Sequence, residues 1–203
     1  MQQVHHSIIV GSGFSGLCMA IRLLQSGIED FLILEKESAL GGTWRDNHYP
    51  GAECDVPSAL YSYSFERKTD WDYQWSEQSQ ILEYIAHVAD KHGLRRHIRF
   101  DSELRSADYD ESAHTWQLTL DSGEQLSAQY LVAAVGQLHK PSVPQFAGAE
   151  SFAGASFHSA RWDHSVDLAG KSVAVIGNAA SAVQNVPQIA DRVGQLTIYQ
   201  RSP

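Results

Sequence analysis

The sequence predicts an α/β fold with a parallel sheet, and three observations carry that prediction. Twice along the chain an apolar run leads into a turn of small residues and then into a helical pattern. Residues 8–10 precede Gly11-Ser12-Gly13-Phe14-Ser15-Gly16, and residues 173–176 precede Gly177-Asn178-Ala179-Ala180-Ser181-Ala182. Each copy closes on a second apolar strand, with Glu35 at that closing position in the first and Arg201 in the second. Between the copies, residues 99–135 alternate around Asp121-Ser122-Gly123, the pattern of a small antiparallel β-meander with a hairpin turn. Strand, turn, helix and strand in that order, twice over, describe two Rossmann-like dinucleotide-binding units.

Residues 4–10 read as a buried strand. A helix follows over residues 15–26, with Leu17, Ala20, Ile21 and Leu24 at helical spacing and Gly27 as its stop. Phe31–Leu34 is the second strand. Residues 40–75 are rich in Gly, Pro, Asp, Trp and Tyr and carry little period. A loop of that length inside a compact domain is more often functional than idle. Residues 81–92 form an amphipathic helix with Ile81, Tyr84, Ile85, Val88 and Ala89 on one face.

The meander ends in the apolar run 130–135, and Pro141 and Pro144 mark a boundary. A second βαβ unit begins near Lys171, and its helix contains Pro187, which is expected to kink it or end it early. A mononucleotide-binding half has three parallel strands. This one shows two, so the second domain is expected to be incomplete. The expected organisation is a first domain over residues 1–145, a linker over 146–170, and the start of a second domain over 171–203.

With 203 residues, 43% of them hydrophobic, the chain can bury a substantial core in one or two domains. A net charge of −9 argues against a nucleic-acid partner. Residues 1–6 lack the basic start and apolar core of a signal peptide, and no apolar stretch is long enough to span a membrane. Cys18 and Cys54 have no metal-like spacing, so no metal site is expected and a reducing cytoplasm fits best. Without a Cys-x-x-Cys pair, a flavin disulfide reductase is disfavoured.

The first glycine turn carries a specific chemistry. Gly11 allows a tight turn, Gly13 lets the backbone approach a pyrophosphate, and Gly16 permits close helix–strand packing. The helix N-terminus adds N–H donors and a favourable dipole. Glu35 suits the hydroxyls of a ribose. In the second turn Ala179 and Ala182 replace two glycines, and their methyl groups are expected to push a pyrophosphate outward or slow its binding. Arg201, beside Gln200 rather than an acid, suits a 2′-phosphate and favours NADP over NAD. The alternative for this second copy is a strand and helix with no ligand.

Further motifs lie between and beyond the two turns. They are Gly41-Gly42-Thr43-Trp44-Arg45, Tyr49-Pro50-Gly51, Cys54-Asp55-Val56-Pro57, and Ala133-Ala134-Val135-Gly136 with Pro141 and Pro144. To these are added Phe152-x-Gly154-x-x-x-His158-x-x-x-Trp162-Asp163 and Gln200-Arg201-Ser202-Pro203. Together they resemble the class B flavoprotein monooxygenases, which include the Baeyer–Villiger monooxygenases and the flavin-containing monooxygenases. The resemblance runs over essentially the whole chain but over less than half of a family member.

That resemblance implies FAD and NADPH as cofactors, with O₂ and a small molecule as substrates. One oxygen atom of O₂ would enter a ketone, or a soft nucleophile, through a C4a-(hydro)peroxyflavin. Gly11, Gly13, Phe14, Ser15 and Gly16 would hold the FAD pyrophosphate, Glu35 and Lys36 the adenosine end, and the Leu104 backbone the adenine. Gly42, Thr43 and Trp44 would lie toward the flavin. Asp55 would sit at the flavin face as the candidate catalytic residue, although the arginine that its family counterpart pairs with is absent here. Capping of a turn before Val56-Pro57 is its structural alternative.

Gly177, Asn178, Ala180, Ser181 and Arg201 would hold NADPH. Phe152, Gly154, His158, Trp162 and Asp163 would form the fingerprint of the linker. The expectation is an N-terminal part of such an enzyme, without full turnover of its own. The alternative is an FAD- and NADP-binding module that needs a complementing chain or a C-terminal part.

Overall fold

The computed structural model describes residues 3–201, and these fall into two compact units. The first comprises the described residues through Arg45, with Tyr63–Arg67 and Ile81–His139. The second comprises Asp46–Ser62, Lys68–Gln80 and the described residues from Lys140 onward.

Strand β1 (Val4–Val10) is the centre of the first unit. Helix α1 (Phe14–Gln25) follows the glycine turn, and β2 (Phe31–Leu34) returns parallel to β1 in the register Ile8↔Leu32. A single helical turn, α2 (Thr43–Asp46), leaves the Gly41-Gly42 pair. Helix α3 (Gln78–Lys91) leads through Leu94–His97 into the short strand β3 (Ile98–Arg99). The meander is β4 (Leu104–Asp110), β5 (Thr115–Leu120) and β6 (Gln125–Ala133).

All six strands make one sheet in the order β3-β2-β1-β6-β5-β4. β6 is antiparallel to β5 and parallel to β1, so the meander is continuous with the parallel sheet. With β2 on one side and β6 on the other, β1 buries Ile8 and Ile9 completely. Leu17, Ala20 and Ile21 of α1 are equally buried.

The five residues expected on the apolar face of the third helix, Ile81, Tyr84, Ile85, Val88 and Ala89, are the buried ones. That helix begins three residues earlier than its apolar period shows. Gln78, Ser79 and Gln80 add a polar first turn, and the Gln78 N–H is satisfied by the Ala52 carbonyl at 2.8 Å. Residues 40–75 contain no strand longer than an isolated bridge; α2 and the 3₁₀ turn Ser58–Leu60 are their only helical pieces. The buried Ser58 and Ser76 hydroxyls bond each other at 2.7 Å, and Ser58 Oγ also meets the Tyr73 and Gln74 carbonyls.

In the second unit β7 (Ser172–Ile176), α4 (Ala180–Ala190) and β8 (Gln195–Tyr199) form a βαβ unit with a two-stranded parallel sheet. Of the two outcomes expected at Pro187, an early end does not occur: helix α4 continues three residues past it. A proline removes one N–H and crowds the preceding turn, at roughly 3 kcal/mol in a helix interior. Burial of Ile189, two residues beyond it, is apolar burial that works against that cost. Gln184 ties α4 to the loop before it: the Tyr49 hydroxyl donates to Gln184 Oε1 at 2.7 Å, and Gln184 Nε2 donates to the Glu53 carbonyl at 3.0 Å. Ile176, Ile198 and Tyr199 of the sheet are exposed. No helix among the described residues is long and apolar enough to cross a membrane.

Candidate dinucleotide sites

The first turn is built by crowding. Gly11 has φ +105° and donates its N–H to the Leu34 carbonyl at 2.8 Å. A Cβ there would lie 2.5 Å from the Ala134 carbonyl oxygen, and a Cβ on Gly16 would lie 1.9 Å from the Gly11 oxygen. Gly13 is different. Its backbone is extended (φ −83°, ψ −168°), and a Cβ would meet only Gly42 atoms, the nearer at an ordinary 3.7 Å.

The protein therefore does not itself demand a glycine at position 13. The space a side chain would fill is left open at the start of α1, and no side chain caps that helix. An N-terminus of this kind presents backbone N–H groups to an anion. Gly41 and Gly42 lie against the same turn. The Gly41 N–H donates to the Ser12 carbonyl at 3.2 Å, and Gly42, at φ +54°, would bring a Cβ within 3.3 Å of Gly13 Cα.

Glu35 is 4% exposed, and its carboxylate is surrounded by donors. Oε2 accepts from the Ser12 N–H at 3.0 Å and the Ser12 hydroxyl at 2.6 Å; Oε1 accepts from the Glu37 N–H at 3.1 Å and lies 3.1 Å from Arg45 Nη1. Burial pushes this carboxyl upward, but the Ser12 and Glu37 hydrogen bonds and the Arg45 charge outweigh it and hold it below the ordinary glutamate value. Lys36 turns to Glu37 at 3.8 Å. The sequence does not place Arg45 beside Glu35. The available signal was its place beside the Gly41-Gly42 turn, but nothing in the spacing from Glu35 connects the two.

Aromatic side chains brace the start of α1. The Tyr63 hydroxyl donates to the Phe14 carbonyl at 2.6 Å, and the two rings meet edge to face at 5.3 Å. The Tyr84 hydroxyl accepts from the Tyr63 N–H at 2.8 Å. Burial drives the Tyr63 phenol far above its ordinary value, so it stays a donor. Ser15 and Thr43 are exposed, Trp44 is buried, and Leu104 opens β4 half-buried against the Ile8–Leu118–Leu120 cluster.

The second turn repeats the first in backbone. Gly177 has φ +109°, its N–H donates to the Tyr199 carbonyl at 2.8 Å, and Ala179 caps α4 with an extended backbone at φ −79°, ψ −176°. Both values suit alanine. Asn178 and Ala180 are exposed, Ser181 is half-buried, and Arg201 is exposed beyond the end of β8. Ser202 and Pro203 of the closing motif lie outside the described residues.

Asp55 lies in the second unit, exposed in a bend next to the buried Cys54. The linker fingerprint makes a local framework. The Phe152 ring sits on Gly154, where a Cβ would come within 2.7 Å, and Trp162 meets Phe157 edge to face at 5.2 Å. His158 Nδ1 accepts from the Ala160 N–H at 3.1 Å, and Asp163 accepts from the Ser165 N–H and hydroxyl at 2.9 and 2.6 Å.

Two dinucleotide turns on strand–helix–strand units define the class. The chain belongs to the pyridine nucleotide-disulphide oxidoreductase family, which it matches over residues 8–203. Within that family the matched part is that of the class B flavoprotein monooxygenases, as the resemblance of the motifs implied. A Baeyer–Villiger monooxygenase of Streptomyces coelicolor is 49% identical over 205 residues, which take in 100% of this chain and 39% of that protein.

Among solved structures, an oxidised steroid monooxygenase bound to NADP superposes with a TM-score of 0.92 at 41% identity, over 98% of this chain and 39% of that one. The OTEMO complex with FAD and NADP superposes with a TM-score of 0.93 at 33% identity, over 100% and 40%. The chain thus spans about two fifths of the length of the relatives it matches.

Proposed function

We propose that this chain is the FAD- and NADPH-binding part of a Baeyer–Villiger-type monooxygenase. The observation that carries the reading is the pair of matching turns with opposite closing residues, a buried acid in one and an exposed arginine in the other. The opening over Gly13, the donor-rich start of α1 and the carboxylate of Glu35 fit a cofactor with a pyrophosphate and a ribose. Gly11, Gly13, Phe14, Ser15 and Gly16 take the FAD pyrophosphate, Glu35 and Lys36 the adenosine end, and the Leu104 backbone the adenine. Gly42, Thr43, Trp44 and Asp55 lie toward the flavin.

Gly177, Asn178, Ala180 and Ser181 take the NADPH pyrophosphate, and Arg201 its 2′-phosphate. Ala179 keeps the backbone of the first turn, and its methyl group fills the space that stays open over Gly13, so the NADPH pyrophosphate lies farther out than that of FAD. When bound, reduced FAD supplies the activation of O₂ that delivers one oxygen atom to a ketone or a soft nucleophile. The protein binds both cofactors and orients them. We place residues 1–145 in the flavin domain and 171–203 in the NADP domain, joined through the fingerprint of residues 146–170, in a reducing cytoplasm.

Purified chain should bind FAD and prefer NADPH to NADH. Arg201→Gln should reduce that preference by about tenfold, the scale of one charge-assisted contact to phosphate. A chain that binds no flavin, or an R201Q chain with unchanged preference, defeats the proposal. The alternative reading is an FAD- and NADP-binding module that turns over only with a complementing chain. Robust ketone oxygenation with NADPH consumption by the chain alone would exclude it.

A further inference from the structure

Resting on the FAD reading above, we infer that Arg45 is a positioning residue for the cofactor, the cation that holds Glu35 for the ribose and cancels the charge of that acid beside the diphosphate. Three contacts place it. Its Nη1 lies 3.1 Å from Glu35 Oε1 and donates to the Ala39 carbonyl at 2.6 Å. Its backbone N–H donates to the Gly42 carbonyl at 3.0 Å, in the loop packed on Gly13. The side chain is 16% exposed and that of Glu35 is 5% exposed, so the pair is nearly withdrawn from water.

An ion pair so placed is costly to desolvate and weak evidence for stability by itself. Glu35 already receives three hydrogen bonds from Ser12 and Glu37, enough to satisfy a buried carboxylate. A guanidinium added to that set brings charge to the edge of a glycine turn shaped for an anion. A dinucleotide pyrophosphate carries two negative charges there, and the helix N-terminus offers about half a positive charge. Arg45 cancels the charge of Glu35, so the acid adds nothing to that negative charge, and it does so from a loop that the turn itself positions. Lys36, adjacent to Glu35 in sequence, faces Glu37 instead.

The test compares ADP and FAD binding to the full chain by calorimetry, in wild type, Arg45→Met and Arg45→Gln. R45M should weaken both ligands by about tenfold or more, the scale of a lost charge-assisted contact. FMN, which lacks the adenosine half, should bind the three proteins alike. R45Q keeps a donor toward Glu35 and should melt within a few degrees of wild type while losing at least about fivefold in ADP affinity. R45Q thus decides the question even where R45M fails to fold. An R45Q chain that binds ADP as tightly as wild type overturns the role of Arg45 alone. A wild-type chain that binds neither ADP nor FAD overturns the FAD reading and this inference with it.

Discussion

The two small-residue turns share a backbone and differ in what surrounds it. Gly11 and Gly177 hold φ angles of +105° and +109°, each donates its N–H to a strand carbonyl at 2.8 Å, and Gly13 and Ala179 cap their helices in nearly the same extended conformation. Around Gly11 the chain is crowded, because β6 continues beside β1 and the Ala134 N–H bonds the Val10 carbonyl at 2.9 Å. A Cβ on Gly177 would meet nothing within 4 Å. The difference separates two reasons for glycine. Positive φ requires it at the first position of both turns. Strand neighbours add a steric requirement only in the first.

The strongest way to break this comparison is Gly16→Ala. Its Cβ would sit 1.9 Å from the Gly11 oxygen and 3.0 Å from the Gly11 carbon, both backbone atoms that cannot turn aside. Overpacking of this kind costs roughly 1–3 kcal/mol, occasionally more, and a backbone partner puts it at the upper end. G16A should lower the melting temperature by about 6 °C or more, given some 2–4 °C per kcal/mol at this size, and should lose FAD. The reverse change in the second turn, Ala182→Gly, should cost about 1 kcal/mol of helix propensity and no more. Thermal unfolding of the two variants side by side checks the pair, and a G16A chain as stable as wild type refutes the steric account.

A subtler comparison is Gly11→Ala against Gly177→Ala. Both place alanine at strained positive φ, on the order of 1–3 kcal/mol. Only G11A adds a clash, with the Ala134 oxygen at 2.5 Å. The first should therefore lose more stability than the second by about 1 kcal/mol or more in urea unfolding. Equal losses would mean that crowding by β6 is irrelevant.

Much of this was legible in the residues. The two turns, the succession of strand, helix and strand around each and the five buried positions of α3 follow from periodicity and glycine placement, because those are local properties. Three features were not legible. The polar first turn of α3 carries no apolar period, and its start depends on a carbonyl from Ala52. Helix α4 persists past Pro187, and the buried Ile189 beyond it is tertiary packing that local propensity does not reveal. The Arg45–Glu35 pair forms because the Gly41-Gly42 loop folds back on the first turn. Glu35 itself was readable as the closing acid, whereas its four donors were not.

The smallest effect concerns the closing residues, and it depends on pH. The Glu35 carboxyl is held below its ordinary value in the folded chain. A depressed carboxylate contributes stability that is fully present above the unfolded value, near about 4.3, and is lost as pH falls through the lower folded value. Glu35→Gln removes that titration and turns one acceptor into an amide donor facing Ser12, Glu37 or Arg45. The gap in urea midpoint between wild type and E35Q should thus be constant from neutral pH down to about pH 5 and narrow below about pH 4. Arg201, at the same place in the second unit, stays cationic throughout this range. R201Q should therefore show no such narrowing. A gap for E35Q that stays constant to pH 3 would mean that Glu35 acts through packing, with its charge contributing nothing to the first turn.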